Sequence, residues 1–271
     1  LGTEVCKYLR KKGFDVFSPS SKEMNVTDAL KVLETVKRIY PDIVIHCAAY
    51  TQVDQAEEHR EEAFLLNESG TANIAVACLE IAAKMIYIST DYVFSGIGNS
   101  YYEIDDPTEP LNVYGLSKLA GENRVRNLLE RYFIVRISWL YGHNGDNFVE
   151  KILRAIKEKE RIQVACDQVG SPTYAKDLPP LLHEMMMSEE YGTYHATNAG
   201  ICTRAEFATE IIGLTGRKIE VQPILTENFQ SCAQRPLNSK LSKASLKEHG
   251  FKGLRGWKSA LYEYYSEEHL S

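Results

Sequence analysis

Met85-Ile86-Tyr87-Ile88-Ser89-Thr90 is an apolar, β-rich run that ends on two hydroxyls. It lacks the polar alternation of a strand with one wet face, so it reads as a strand buried on both sides, as in parallel sheets. Ile43-Val44-Ile45, flanked by Pro41 and Asp42, and Phe133-Ile134-Val135-Arg136-Ile137 share this texture, and Val16-Phe17 ends a shorter strand. Helical periods separate them. Thr27 or Asp28 caps a helix that runs to residue 39, Ser69 caps one that runs to 83, and residues 114–130 place Leu116, Leu119, Ala120 and Val125 at helical spacing. Buried strands alternating with helices predict consecutive βαβ units, hence an α/β fold with a Rossmann-type, doubly wound parallel sheet.

Past Trp139 the elements shorten and the loops fill with Gly, Pro, Asn and Ser, as in Gly142-His143-Asn144-Gly145 and Gly170-Ser171-Pro172-Thr173. A smaller second lobe is expected there. On this division residues 1–142 form the Rossmann domain, and 143–271 form mainly the second lobe, with some segments returning to the first. Helices are expected over 148–159, 178–187, 204–214 and 257–267, and Pro179 and Pro180 suit a first helical turn.

The 271 residues are 44% hydrophobic and 25% charged, which suits a folded chain with a real core and excludes collagen-like, low-complexity and disordered classes. Thirty-one Lys and Arg against 37 Asp and Glu leave a net charge of −6 with no basic stripe, which argues against nucleic-acid and anionic-membrane partners. The six cysteines are too dispersed for a disulfide framework or a paired zinc site, so a reducing cytoplasm fits best. Residues 72–88 are cut by Glu80 and Lys84, so no transmembrane helix is expected, and no secretory leader is seen at Leu1-Gly2-Thr3-Glu4. His183-Glu184 is followed by three Met rather than the second histidine of a metalloprotease helix, and no metal ligand is assigned. Those methionines are expected to pack a helix into the core.

Chemistry enters with Tyr114 and Lys118, four residues apart and therefore on one face of their helix. A phenol with a pKa of ~10 is a reluctant acid near neutrality, and a neighbouring ammonium favours its ionised form. On this expectation Lys118 lowers the pKa of Tyr114, and a hydroxyl from Ser89 or Thr90 holds a carbonyl oxygen while Tyr114 protonates it. The spacing alone is common in helices where the tyrosine packs and the lysine is solvated. Here it follows a buried strand in a βαβ chain, where ligands bind beyond the carboxyl ends of strands.

These residues sit in longer runs: Cys47-Ala48-Ala49-Tyr50-Thr51-Gln52-Val53-Asp54, Ser89-Thr90-Asp91-Tyr92-Val93-Phe94, Asn112-Val113-Tyr114-Gly115-Leu116-Ser117-Lys118 and Arg136-Ile137-Ser138-Trp139-Leu140-Tyr141-Gly142. Gln168-Val169-Gly170-Ser171-Pro172-Thr173 with Asp177-Leu178, and Arg235-Pro236-Leu237-Asn238-Ser239, follow in the second half. Over nearly its whole length the chain resembles the extended short-chain dehydrogenase/reductase superfamily and, within it, the dTDP-4-dehydrorhamnose reductase family. The resemblance implies hydride transfer from NADPH or NADH to the C4 ketone of a dTDP-linked 6-deoxyhexulose, giving dTDP-L-rhamnose for cell-surface polysaccharide.

By the same resemblance Tyr114 donates the proton, Lys118 lowers its pKa and holds the nicotinamide ribose, and Thr90 binds the carbonyl oxygen or orients Tyr114. Asp91, Trp139 and Arg235 then contact the sugar nucleotide; without the resemblance Trp139 reads as a core indole and Asp91 as a loop or cap carboxylate. Ala48, Ala49, Tyr50 and Thr51 line the ribose and pyrophosphate, Asn25 and Val26 lie against the adenine, and Asn67 matches a cofactor-site Asn. The family usually carries Asp where this chain has Asn25. Gly2 matches the last glycine of the dinucleotide fingerprint, which places the first strand and two earlier glycines upstream of Leu1. Ser18-Pro19-Ser20-Ser21-Lys22 offers hydroxyls and one cation for a 2′-phosphate and leans the choice toward NADPH.

The resemblance also implies Mg²⁺, which some relatives hold at a subunit contact, and a homodimer is the expected assembly. Three rival functions remain open from sequence. A dehydratase needs an Asp-Glu pair after the threonine, whereas Thr90-Asp91 is followed by Tyr92. An epimerase would retain oxidised cofactor without net consumption. A non-catalytic subunit like the regulatory beta subunit of methionine adenosyltransferase has no need of an activated phenol.

Overall fold

The computed structural model describes residues 1–269. In chain order its helices are α1 (Gly2–Lys11), α2 (Ala29–Ile39), α3 (Val53–Glu58), α4 (Arg60–Phe64), α5 (Gly70–Glu80), α6 (Val113–Leu128), α7 (Phe148–Glu158), α8 (Leu178–Met186), α9 (Arg204–Leu214), α10 (Ala244–Glu248) and α11 (Trp257–His269). The strands are β1 (Ile43–His46), β2 (Lys84–Thr90), β3 (Tyr132–Ile137), β4 (Leu140–Tyr141), β5 (Arg161–Ala165), β6 (Val169–Gly170), β7 (Thr173–Tyr174), β8 (Gly192–His195), β9 (Cys202–Thr203), β10 (Glu220–Ile224) and β11 (Asn238–Ser239).

Among the described residues β1, β2, β3 and β8 pair in that order as one parallel sheet, with Ile45 opposite Ile86 and Ile88 opposite Val135. Side chains alternate across a strand. Ile86 and Ile88 therefore join Phe133 and Val135 on a face covered by α1 and α8, where Val5, Leu181 and Met185 pack. Met85, Tyr87 and Ile134 point the other way, onto Val32 of α2, Ile74 of α5 and Val125 of α6. Both faces are dry, which is why these strands carry no polar alternation. A third cluster gathers Tyr141, Phe207, Trp257 and Tyr264 between β4, α9 and α11.

Local chemistry sets the helix starts. Asp28 accepts a hydrogen bond from Lys31 N (3.0 Å) to cap α2, Asn112 accepts from Gly115 N (2.8 Å) to cap α6, and Asn147 caps α7. Thr203 and Glu206 close a reciprocal capping box on α9.

Three expectations change. Val16 and Phe17 form no strand, because their extended backbone meets no hydrogen-bonded neighbour among the described residues. Ser69 caps nothing: the chain is already helical from Arg60, and a π-helical turn, Leu65–Ser69, carries it directly into α5. Of the three methionines, Met185 and Met186 are buried, while Met187 lies just past the end of α8 and is exposed. The second half of the chain contributes β8 to the main sheet and α8 to its α1 side. β6 pairs with β9 and β11, β4 with β7, and β5 with β10.

Candidate active site

β2 ends at Thr90, and the side chains of its last two residues part there because a strand alternates. Ser89 Oγ points into the interior and donates to Glu122 Oε1 at 2.6 Å. Thr90 faces the other way, donates to Asp91 Oδ1 at 3.0 Å and accepts from Tyr92 N at 3.2 Å. Of the two candidate hydroxyls, only Thr90 reaches Tyr114. Tyr114 is the second residue of α6, and the absence of a side chain on Gly115 lets this turn press against the Tyr92 carbonyl. The Tyr114 hydroxyl faces Thr90 without hydrogen-bond geometry, and its ring stands edge-on to Tyr92 at 5.6 Å.

Lys118 lies one turn further along α6, fully buried. Its Nζ donates to Ile88 O at 2.7 Å and sits 4.0 Å from the centre of the Tyr87 ring. Burial drives its pKa down to about 7, against the pull of the Glu122 carboxylate. The expectation that Lys118 lowers the Tyr114 pKa is corrected here. Burial raises the phenol well above its ordinary value, and the facing Thr90 hydroxyl offsets only part of the rise. The ammonium is engaged by Ile88 and Tyr87, so the resting phenol keeps its proton.

Beneath Lys118, Glu122 is completely buried and holds two arginines, Arg136 at 2.8 Å and Arg126 at 2.7 Å. Burial alone would raise its pKa; Arg136 and Arg126 bring it below the usual range. This network locks α6 to β2 and β3; Glu122 and Arg126 stand one helical turn apart, whereas no spacing announces Arg136.

The loop after β1 brings Ala48, Ala49, Tyr50 and Thr51 to the neighbouring strand end, where Ala48 and Thr51 are exposed. Gly2 lies under this loop, with space for a Cβ only 3.6 Å from that of Cys47. Asn67 does not face outward with them. It is buried in the π-helical turn, accepts from Tyr50 N (2.8 Å), and donates to Tyr50 O (3.1 Å) and Ser117 Oγ (2.9 Å). It ties the loop to α6 and has no amide N–H turned to a ligand. Val26 is likewise buried, against Gly70, and its carbonyl accepts from Asn73. Asn25 folds back to accept from Thr27 N at 3.1 Å.

The remaining wall is assembled from distant segments. Asp91 is buried, burial lifts its pKa to about 6, and its Oδ2 has no hydrogen-bond partner. Ser239 Oγ faces the same carboxyl and offsets part of the rise without hydrogen-bond geometry. Trp139 takes a left-handed backbone, φ 48°. Arg235 grips Asp54 with both terminal nitrogens, at 3.1 and 2.5 Å, and this pairing holds the Asp54 carboxyl down at about 2. The Tyr92 hydroxyl lies within electrostatic reach of Arg235. Arg204, which sequence reasoning placed only at a helix start, lies over the Trp139 ring.

The RmlD substrate-binding domain family matches residues 1–270. The chain belongs to that family. It is 40% identical over 267 residues to the spore coat polysaccharide biosynthesis protein SpsK of Bacillus subtilis, covering 98% of this chain and 94% of that protein. It is 38% identical over 269 residues to a dTDP-4-dehydrorhamnose reductase of Mycolicibacterium smegmatis, covering 97% of this chain and 81% of that one. A crystal structure of dTDP-4-dehydrorhamnose reductase from Bacillus anthracis in complex with NADP superposes with a TM-score of 0.95 at 41% identity, over 98% of this chain and 95% of that one. Among the described residues no group of three or more His, Cys, Asp or Glu is arranged to hold a metal ion, and no helix is long and apolar enough to cross a membrane.

Proposed function

We propose that this protein is an NAD(P)H-dependent reductase that converts the C4 ketone of dTDP-4-dehydro-L-rhamnose to the hydroxyl of dTDP-L-rhamnose, in nucleotide-sugar biosynthesis for cell-surface polysaccharide. The observation that carries this reading is the Tyr114 hydroxyl facing Thr90 at the carboxyl end of β2, with a buried ammonium one turn away. Family membership and the close relatives named above supply the substrate class.

The donor set fits a dinucleotide. Single methyl groups at Ala48 and Ala49 leave the main chain open beside the strand end, and Tyr114 and Lys118 offer a hydroxyl and an ammonium at the next one. When bound, a reduced nicotinamide supplies the hydride. Tyr114 then gives its proton to the C4 oxygen, and the transfer runs downhill because an alkoxide is a stronger base than a phenolate. Thr90 faces the Tyr114 hydroxyl and binds the same carbonyl oxygen, and Lys118 holds the nicotinamide ribose. A phenol held above its ordinary pKa suits this role, since it stays protonated until the oxygen beside it becomes basic.

The 2′-phosphate reading gains a cation from the fold. Arg10 of α1 donates to Ser18 Oγ at 2.8 Å and to Val16 O at 3.1 Å, so a guanidinium joins the hydroxyl-rich turn and favours NADPH. Arg235, Trp139 and Asp91 are the sugar-nucleotide contacts of this reading. Tyr92 after Asp91 leaves no glutamate for elimination, and the Thr90–Tyr114 contact would be idle in a regulatory subunit. We place the protein in the cytoplasm, in keeping with its six free cysteines.

The test is NADPH absorbance with dTDP-4-dehydrorhamnose as substrate. Stoichiometric oxidation with formation of dTDP-L-rhamnose is expected. Conversion of the substrate to a stereoisomer at the same oxidation level, without net NADPH consumption, would make the protein an epimerase, and no turnover would overturn the assignment.

A further inference from the structure

Arg204 is the first residue of α9, and its backbone is fixed there twice. Its N–H donates to Gln168 O at 3.1 Å, and the Thr203–Glu206 capping box closes around the same turn. A helix N-terminus is a poor place for a cation, because the helix dipole is positive at that end. Burial adds to the cost and pushes the guanidinium pKa down to about 10. Asp91, Tyr92 and Arg235 lie within its electrostatic reach, yet no carboxylate among the described residues closes into an ion pair with it. The neighbouring arginine, Arg235, is by contrast neutralised by Asp54.

What Arg204 does touch is aromatic. Its guanidinium lies 3.7 Å from the centre of the Trp139 ring and 4.8 Å from that of Phe148. Trp139 holds an uncommon backbone, φ 48°, and its indole packs so close to Gly170 that a Cβ there would come within 2.9 Å of Cε2. A left-handed tryptophan is strained and persists only where its surroundings hold it. Cation and backbone together hold this one.

A pyranose presents an apolar C–H face that suits an indole, rimmed by hydroxyls that both donate and accept. Beside the Trp139 indole stand a guanidinium with donors to spare and Asp91 Oδ2, an acceptor with no partner. We propose that Arg204 is a specificity-determining residue of the sugar subsite, holding the Trp139 indole as the wall for the hexose and offering its free N–H groups to sugar hydroxyls that also meet Asp91. This inference rests on the proposed function and deepens it.

Arg204→Gln, assayed with NADPH and dTDP-4-dehydrorhamnose, is the test. The KM for the sugar nucleotide should rise about tenfold, the loss expected for a desolvated cation–π contact and its hydrogen bonds, while the NADPH KM stays within about twofold. A fold-supporting role alone would move both constants together, and that outcome, or an unchanged sugar KM, overturns the proposal. Quenching of tryptophan emission by dTDP-L-rhamnose reads the same subsite without turnover. The variant should need about tenfold more ligand for half the quench; an unaltered titration overturns the role of Arg204. A wild-type protein that binds the ligand but reduces nothing would overturn the assigned activity and leave this titration to decide the inference.

Discussion

The strand end at Thr90 and the wall around Trp139 form one site by different means. Thr90, Tyr114 and Lys118 come from one strand and the next long helix, and the partners of Lys118 are the Ile88 carbonyl and the Tyr87 ring of that same strand. The wall joins Trp139 after β3, Gly170 in β6, Arg204 at the start of α9 and Arg235 before β11, with Asp54 reaching across from α3. The first region is rigid because Glu122, Arg136 and Arg126 clamp it from below. The second is held by ring stacking, one strained backbone and an exposed-rim ion pair. The proposed function puts reaction chemistry on the part built from neighbouring elements, and substrate selection on the part built from long-range contacts.

If that division is right, Tyr114→Phe gives the largest effect. Turnover should fall about 10²–10⁴-fold, the range for removing a general acid, while NADPH binding measured by fluorescence titration stays within about twofold. Normal turnover would take the proton transfer away from β2 and α6.

Glu122→Gln tests the clamp. It leaves Arg136 buried without its carboxylate, and losing one partner of such a pair costs about 3–5 kcal/mol, read as a lower urea midpoint. A loss below about 1 kcal/mol, the scale of a surface pair, would show that the clamp does not stiffen the catalytic half.

Asp91 joins the two regions, and the smallest effect is expected there. Its carboxyl is displaced from 3.8 to about 6, so lowering the pH through about 6 protonates it and removes an acceptor for a sugar hydroxyl. kcat/KM should therefore fall on the acid side, by about tenfold at one pH unit below that point, and Asp91→Asn should flatten this limb. An identical acid limb in the variant would assign it to another group.

Sequence legibility follows the same line. Tyr114 and Lys118 were readable because four residues is one helical turn, and the buried strands because they lack a polar face. The residues alone left Ser89 and Thr90 open and the resemblance named Thr90; which face of β2 looks outward supplies the physical reason. Asn67 read as a cofactor contact from its match to a motif, but its amide is taken up by Tyr50 and Ser117, a pairing across 50 residues in the latter case. The Thr203–Glu206 spacing could have set Arg204 at a helix start, yet no spacing predicts that its guanidinium covers an indole 65 residues earlier in a sheet-end loop.

Hydrophobic period and helix capping act over a few residues, so the order of strands and helices, the two-sided burial of the sheet and the shared face of Tyr114 and Lys118 were set within the chain's local composition. Whether Lys118 touches a phenol or a carbonyl, which arginine beside the indole lacks an ion pair and which carboxylate oxygen is left without a partner depend on desolvation and on contacts between remote segments. Those energies exist only once the chain has closed around them.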